Sequence, residues 1–269
     1  MDIGSIGITL DPGPDLADRV ARHERLGIST LWIAGGRLDS LDRVGELITA
    51  ARTTRVGTAI IPPDVYPAEQ VARTYAELEA TAPGRFLVGL GGPQQSRSLQ
   101  ALNGYLDHLD RPQSLVPVER RYLAALGPRK LALARDRFAG AITLLVTPAF
   151  TEQVRTVLGD GQHQIVQLPV VGDTDPGRAR ATARGMLGFL VQVPGYRTNL
   201  GRLGFTDTEV DRLDDRLVDA VVAWGDPETV AAAVRRHRDA GADQVIVNPL
   251  AASADFLTEL TAHLGLPAA

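Results

Sequence analysis

Gly127-Pro128-Arg129-Lys130 is the group of residues in this sequence best suited to binding chemistry. An apolar run precedes it and an amphipathic stretch follows, so it reads as the turn from a strand into a helix. Backbone N–H groups at such a turn, helped by the helix dipole, attract an anion. Pro128 removes one donor but fixes the chain for helix entry, which leaves the N–H groups of Arg129 and Lys130 available. Arg129 and Lys130, the latter the only lysine in the chain, add cationic side chains that are expected to be solvated. The same four residues also read as an ordinary proline-initiated helix start. Thr147, after the following strand, is a second candidate for contact with an anionic group.

Other chemistries are excluded by what is missing. There is no cysteine, which removes disulfides, thiolate nucleophiles, Cys-ligated zinc and iron–sulfur clusters. The five histidines, His23, His108, His163, His237 and His263, are scattered. His23-Glu24 begins like the zinc helix H-E-x-x-H, but the fifth position is Gly27, so no metal site is expected. There is no P-loop and no G-x-S-x-G elbow, and Gly89-Leu90-Gly91-Gly92 lacks the third glycine of a dinucleotide fingerprint because position 94 is Gln. No catalytic acid, base or nucleophile is therefore assigned.

These groups sit on a regular alternation of short apolar runs and longer amphipathic stretches. Strands are expected at residues 3–10, 30–34, 56–61, 86–90, 121–126, 141–146, 164–171 and 244–247. Helices are expected over 15–26, 41–53, 67–82, 96–109, 129–138, 152–158, 176–191, 197–203, 208–222, from Asp226-Pro227-Glu228 to Gly241, and over 253–264. Eight continuously apolar strands, each followed by a helix, indicate a parallel sheet covered on both faces, and hence a (β/α)8 barrel. The 269 residues match the roughly 250 of one such barrel, so residues 1–269 are read as a single domain. In this architecture chemistry belongs to the loops after the strands, and glycine stands at five of those ends, Gly35-Gly36 and Gly91-Gly92 among them. Tight turns alone account for single glycines; together they leave room for a flat ligand.

Hydrophobic residues make up 44% and charged residues 22%, an ordinary globular balance. The net charge is −4 and arginines alternate with acids, so no nucleic-acid footprint is expected. No apolar run approaches the roughly 20 residues that span a bilayer. A cytoplasmic protein acting on a small molecule, with no membrane partner, is the expectation.

Several segments resemble the luciferase-like flavin monooxygenase and coenzyme F420-dependent oxidoreductase superfamily. They include His23-Glu24-Arg25-Leu26-Gly27, Thr54-Arg55-Val56-Gly57-Thr58-Ala59-Ile60 and Pro83-Gly84-Arg85-Phe86-Leu87-Val88-Gly89-Leu90-Gly91. Leu123-Ala124-Ala125-Leu126-Gly127-Pro128-Arg129, Leu200-Gly201-Arg202-Leu203-Gly204-Phe205 and Trp224-Gly225-Asp226-Pro227 resemble it as well. The resemblance implies a luciferase-like (β/α)8 barrel, coenzyme F420 or FMN as cofactor, and a homodimer. It implies a non-prolyl cis bond at Ala59–Ile60, in a bulge that supports the cofactor ring. It also implies ring or ribityl contacts at Gly91 and Gly92, and phosphate contacts at Leu126, Gly127, Arg129 and Lys130. Gly35 stands with Gly36 where relatives often carry Asp-His, and Gln94 stands where they carry a carboxylate; Gly35 is counted with the cofactor-facing residues. No catalytic residue carries over. Hydride transfer through F420, FMN-dependent oxygenation, and cofactor binding without catalysis are the three readings this leaves.

Overall fold

The computed structural model describes residues 2–35, 38–91 and 98–267. The elements run β1 (Ile6–Thr9), α1 (Leu16–Arg25), β2 (Thr30–Ala34), α2 (Asp42–Ala50), β3 (Arg55–Ala59), α3 (Ala68–Thr81), β4 (Phe86–Leu90) and α4 (Ser98–Leu109). They continue with β5 (Arg121–Ala124), α5 (Pro128–Arg137), β6 (Gly140–Leu144), α6 (Pro148–Leu158), β7 (His163–Val171) and α7 (Pro176–Leu190). The chain closes with α8 (Pro194–Arg202), α9 (Asp207–Arg212), α10 (Asp215–Val221), β8 (Ala223–Trp224), α11 (Pro227–Asp239), β9 (Gln244–Ala251) and α12 (Ala254–His263). Strands β1 to β7 pair in order, β7 pairs with β9, and β9 pairs with β1, every pairing parallel. The sheet is thus a closed barrel of eight strands, all eight at the places expected from the sequence. β8 is an addition of two residues that pairs only with Val170 and Val171 at the end of β7.

Two of the expected helices differ. The stretch 208–222 is two helices, α9 and α10, because Leu213 takes a left-handed conformation (φ 51°) and breaks the ladder. The helix expected at 152–158 begins earlier, at Pro148, because the Thr147 hydroxyl caps it by accepting from the Phe150 N–H. Residues 110–118 form a loop apart from the single turns Pro112–Ser114 and Val118–Arg120.

Alternation along the strands sorts side chains between two cores. Leu31, Ile33, Val56, Val88 and Val166 face the helices, in one apolar shell with Val44, Val71 and Val234. Trp32, Leu87, Tyr122, Ile142, Ile165 and Ile246 fill the barrel interior. Trp32 is the largest of these and is fully buried; its indole N–H donates to Gln244 Oε1 at 2.9 Å, and its ring meets Tyr122 edge-on at 6.2 Å. The neighbouring strands yield space to it. A Cβ on Gly57 would lie 2.4 Å from the indole, and one on Gly7 2.8 Å from its nitrogen.

The segment that began like a zinc helix is structural. His23 packs in the core, while Glu24 Oε1 accepts from the N–H groups of Arg52, Thr53 and Thr54 and from the Thr54 hydroxyl, tying α1 to the start of β3. Among the described residues no group of three or more His, Asp or Glu could hold a metal ion, and no helix is long and apolar enough to cross a membrane.

Two predictions follow from this packing. Gly57→Ala forces a methyl group into a fully packed ring and is expected to destabilise the fold by about 1–3 kcal/mol in urea denaturation; a loss below ~0.5 kcal/mol would show that the indole yields. Burial pushes His23 down to about 4, helped by Arg19 and Arg22, and pushes His237 down to about 4, helped by Arg236. Both are therefore neutral in the folded chain, whereas unfolded histidine titrates near ~6.5. Their stabilisation is complete above that pH and is lost as pH falls toward 4, on the order of 3 kcal/mol each. Melting temperature should drop steeply from pH 6.5 to 4.5, and a His23→Leu, His237→Gln double variant should lose most of that slope. An unchanged slope would assign it to other groups.

Candidate functional site

The end of β3 departs from the ladder. Val56 and Gly57 pair with Phe86 and Leu87, but the next pairing is Ile61 with Leu90, so β3 carries one extra residue, a bulge. Thr58 holds this bulge together. Its hydroxyl donates to the Gly89 carbonyl at 3.1 Å and accepts from the Gly89 N–H at 3.0 Å. A Cβ on Gly89 would fall 1.8 Å from the Thr58 carbonyl oxygen, which is why this strand needs glycine there. The Ala59–Ile60 peptide bond inside the bulge is cis. Gly35, at the end of β2, lies against the Ile60 backbone, and Gly91, past β4, lies against its side chain.

This shelf forms one wall of a cavity of about 470 Å³ at the C-terminal mouth of the barrel. Ala59, Ile60 and Gly91 line it from the β3–β4 side, and residues 124–130 from the end of β5 and the start of α5. Ile142, Leu144 and Gln167 line it from β6 and β7, and residues 193–196, Thr198 and Arg202 from α8 and the turn before it. Seven of the residues singled out from the sequence thus meet around one space: Ala59, Ile60, Gly91, Leu126, Gly127, Arg129 and Lys130. Three do not. Gly35 supports the shelf from behind, its absent side chain leaving room for the Ile60 backbone. Thr147 is occupied as the cap of α6, and its carbonyl accepts from the Thr151 hydroxyl. Gly92 lies outside the described residues, as do Gly36 and Gln94.

The electrostatics of the cavity are one-sided. No side chain caps α5, and its first internal bond runs from the Leu131 N–H to the Gly127 carbonyl, so the Arg129 and Lys130 N–H groups have no partner within the helix. The side chains of Arg129, Lys130 and Arg202 make no ion pair among the described residues, and the described lining contains no carboxylate and no imidazole. Arg202 folds over the α5 entrance, its guanidinium 3.6 Å from where a Cβ on Gly127 would sit. Arg129 is exposed as expected. Lys130, expected to be solvated, is half-buried against the cavity wall, and burial lowers its pKa.

Sequence reasoning missed three lining side chains. Arg202 stands in a segment noted for its resemblance but given no role. Tyr196, near the start of α8, is pushed up to about 12 by burial and so keeps its phenolic proton near neutral pH. Gln167 is a polar residue inside the apolar run 165–171, which was the available signal. The site can therefore bind an anion at one side and a flat apolar body at the other. Among its described residues it offers hydroxyl and amide hydrogen bonds, and no carboxylate or imidazole.

Comparison with known proteins agrees with this architecture. Residues 5–115 match the family model of luciferase-like monooxygenases. No curated protein sequence matches the chain significantly. An F420-dependent secondary alcohol dehydrogenase, solved with an F420–acetone adduct, is similar in structure with a TM-score of 0.74 at 16% identity, over 98% of this chain and 99% of that one. A coenzyme F420-dependent tetrahydromethanopterin reductase from Methanopyrus kandleri is similar with a TM-score of 0.71 at 17% identity, over 97% and 98% of the two chains. The FMN-bound oxygenating constituent of 3,6-diketocamphane monooxygenase from Pseudomonas putida is similar at 0.69 and 11% identity, over 97% of each chain. At these identities the likeness is one of fold. Residues 5–115 thus match a luciferase-like monooxygenase model, on a chain whose (β/α)8 barrel is similar in fold to F420-dependent oxidoreductases and an FMN-bound monooxygenase.

Proposed function

We propose that this chain is an oxidoreductase that moves a hydride between coenzyme F420 and a small organic substrate. The observation that carries the reading is the one cavity joining the Ala59–Ile60 shelf to three cations at the entrance of α5 that have no ion-pair partner among the described residues. Arg129, Lys130, Arg202 and the free N–H groups of α5 would hold the anionic tail, by charge-assisted hydrogen bonds typically worth about 1.5–3 kcal/mol each. Ile60, resting on Gly91, would support one face of the ring. When bound, the deazaflavin supplies the hydride chemistry, and the protein supplies position and a dry wall. With no carboxylate or imidazole on the described lining, the substrate is one whose protonation can come from water, such as an activated alkene or imine. The Tyr196 hydroxyl, which keeps its proton, serves as a donor that orients it.

The second reading is an FMN-dependent monooxygenase, favoured by the family match over residues 5–115. An FMN tail ends in one phosphate, whereas the F420 tail carries a phosphodiester and carboxylates; three cations around one helix start fit the latter better. A barrel that binds a cofactor without catalysis is the third. The chain is further proposed to work as a homodimer in the cytoplasm, and a light-scattering mass near 28.7 kDa would contradict the dimer.

Absorbance and fluorescence titration of the purified protein with F420 and with FMN separates these readings. Binding of F420 with turnover of an activated alkene supports the first, and binding of FMN alone supports the second. Binding without turnover of any substrate class supports the third, and binding of neither would sink all three. An Arg129→Ala, Lys130→Ala double variant is expected to weaken cofactor binding about tenfold or more, at about 1.4 kcal/mol per decade. Equal binding by variant and parent would move the anion site away from α5.

A further inference from the structure

We infer that Gln167 reads the uncharged polar edge of the cofactor ring, pairing its amide with the imide of a flavin-type ring; this rests on the cofactor reading above. Gln167 lies on β7 two residues after Ile165, which belongs to the barrel interior, so alternation points it into the same space one layer nearer the mouth. It is 6% exposed, it lines the cavity, and its amide makes no hydrogen bond among the described residues. Its partners in register are Leu144 on β6 and Ile246 on β9, which offer its side chain nothing polar. A primary amide that faces an apolar-walled cavity without a protein partner is less favourable than one that is bonded. Leucine or isoleucine, as at the adjacent strands, would fill this place without that cost. The position makes physical sense when a bound molecule supplies the partner.

The placement says which part of that molecule. In the closed order of eight strands, β7 is four places from β3 in either direction, so Gln167 stands across the mouth from the Ala59–Ile60 shelf. The cations lie between them, at the β5–α5 entrance and on α8. A ring supported on the β3 side, with its tail leaving over α5, turns its remaining edge toward β7. Flavins and deazaflavins carry there a carbonyl, an N–H and a second carbonyl in a row. A primary amide offers one donor and one acceptor side by side and matches such an edge in two hydrogen bonds. It is the only side-chain amide on the described lining. A substrate carbonyl is the other group that could take this amide, and the test distinguishes the two.

The test uses whichever of F420 and FMN the parent protein binds, together with the same cofactor methylated at the imide nitrogen. The parent is expected to bind the methylated form at least tenfold more weakly. Gln167→Met, close in volume and unable to form the pair, is expected to bind the unmodified cofactor about tenfold more weakly than the parent. It should discriminate between the two forms by less than threefold. A parent blind to methylation, or a variant that keeps the full discrimination, would overturn the assignment and give Gln167 to the substrate or to packing. Thermal melting of Gln167→Met without cofactor checks that the variant folds. If it does not, the parent's response to methylation still decides, with Gln167→Glu as the second variant, expected to weaken binding because a carboxylate repels the imide carbonyls. A parent that binds neither cofactor would instead bring down the cofactor reading itself.

Discussion

Ile60 is held in place by two missing side chains. A Cβ on Gly35 would stand 2.6 Å from the Ile60 carbonyl oxygen and 2.7 Å from its nitrogen, and a Cβ on Gly91 would stand 2.3 Å from its Cδ1. The first clash is with backbone, which cannot move aside without disturbing the β2–β3 ladder. The second is with a side chain that would have to leave the mouth. Ahead of Ile60, the Thr58 hydroxyl bridges to Gly89 and closes the ladder around the extra residue of β3. The shelf is thus specified from three strands at once, and the cavity takes its shape from it. Glycines that a sequence reader weighs as turn residues or as room for a ligand here make room for one another's neighbours.

The second organising feature is charge. Some arginines of the chain form pairs that tie elements together, such as Arg180 with Asp215 and Asp219 between α7 and α10, or Arg155 with Asp243 between α6 and the loop before β9. Among the described residues, Arg129, Lys130 and Arg202 have no such carboxylate partner. Unpaired cations gathered at an uncapped helix start, with no acid on the described wall, make a local positive field in a chain whose net charge is −4. α8 brings Arg202 to that point, so the helices inserted between β7 and β9 help to build the site as well as cover the barrel end.

The strands were legible because a barrel strand is buried on both faces and therefore reads as a continuous apolar run. The shelf was legible only through the resemblance carried by residues 54–60, and the α5 entrance through glycine, proline and the lone lysine at a strand end. The break at Leu213 was not, since nothing in the side chain of leucine announces a left-handed backbone. Thr147 caps α6, a role that shares its place and its hydroxyl with anion binding, so the sequence alone does not tell the two apart. Gly35 packs against the Ile60 backbone, a contact that no local pattern around β2 announces. Arg202 and Tyr196 reach the cavity through tertiary packing of α8, which no local pattern encodes. Gln167 did leave a trace, one polar residue in phase with Ile165 inside an apolar strand.

The central claim is that the shelf at Ile60 and the cations at α5 belong to one binding site. A crystal structure of the protein grown with coenzyme F420 tests it most directly. The account predicts the ring against Ile60 and Gly91, with the tail phosphate accepting from the Arg129 or Lys130 N–H and lying beside Arg202. A ring bound away from Ile60, or a tail phosphate with no contact to the start of α5, would contradict it.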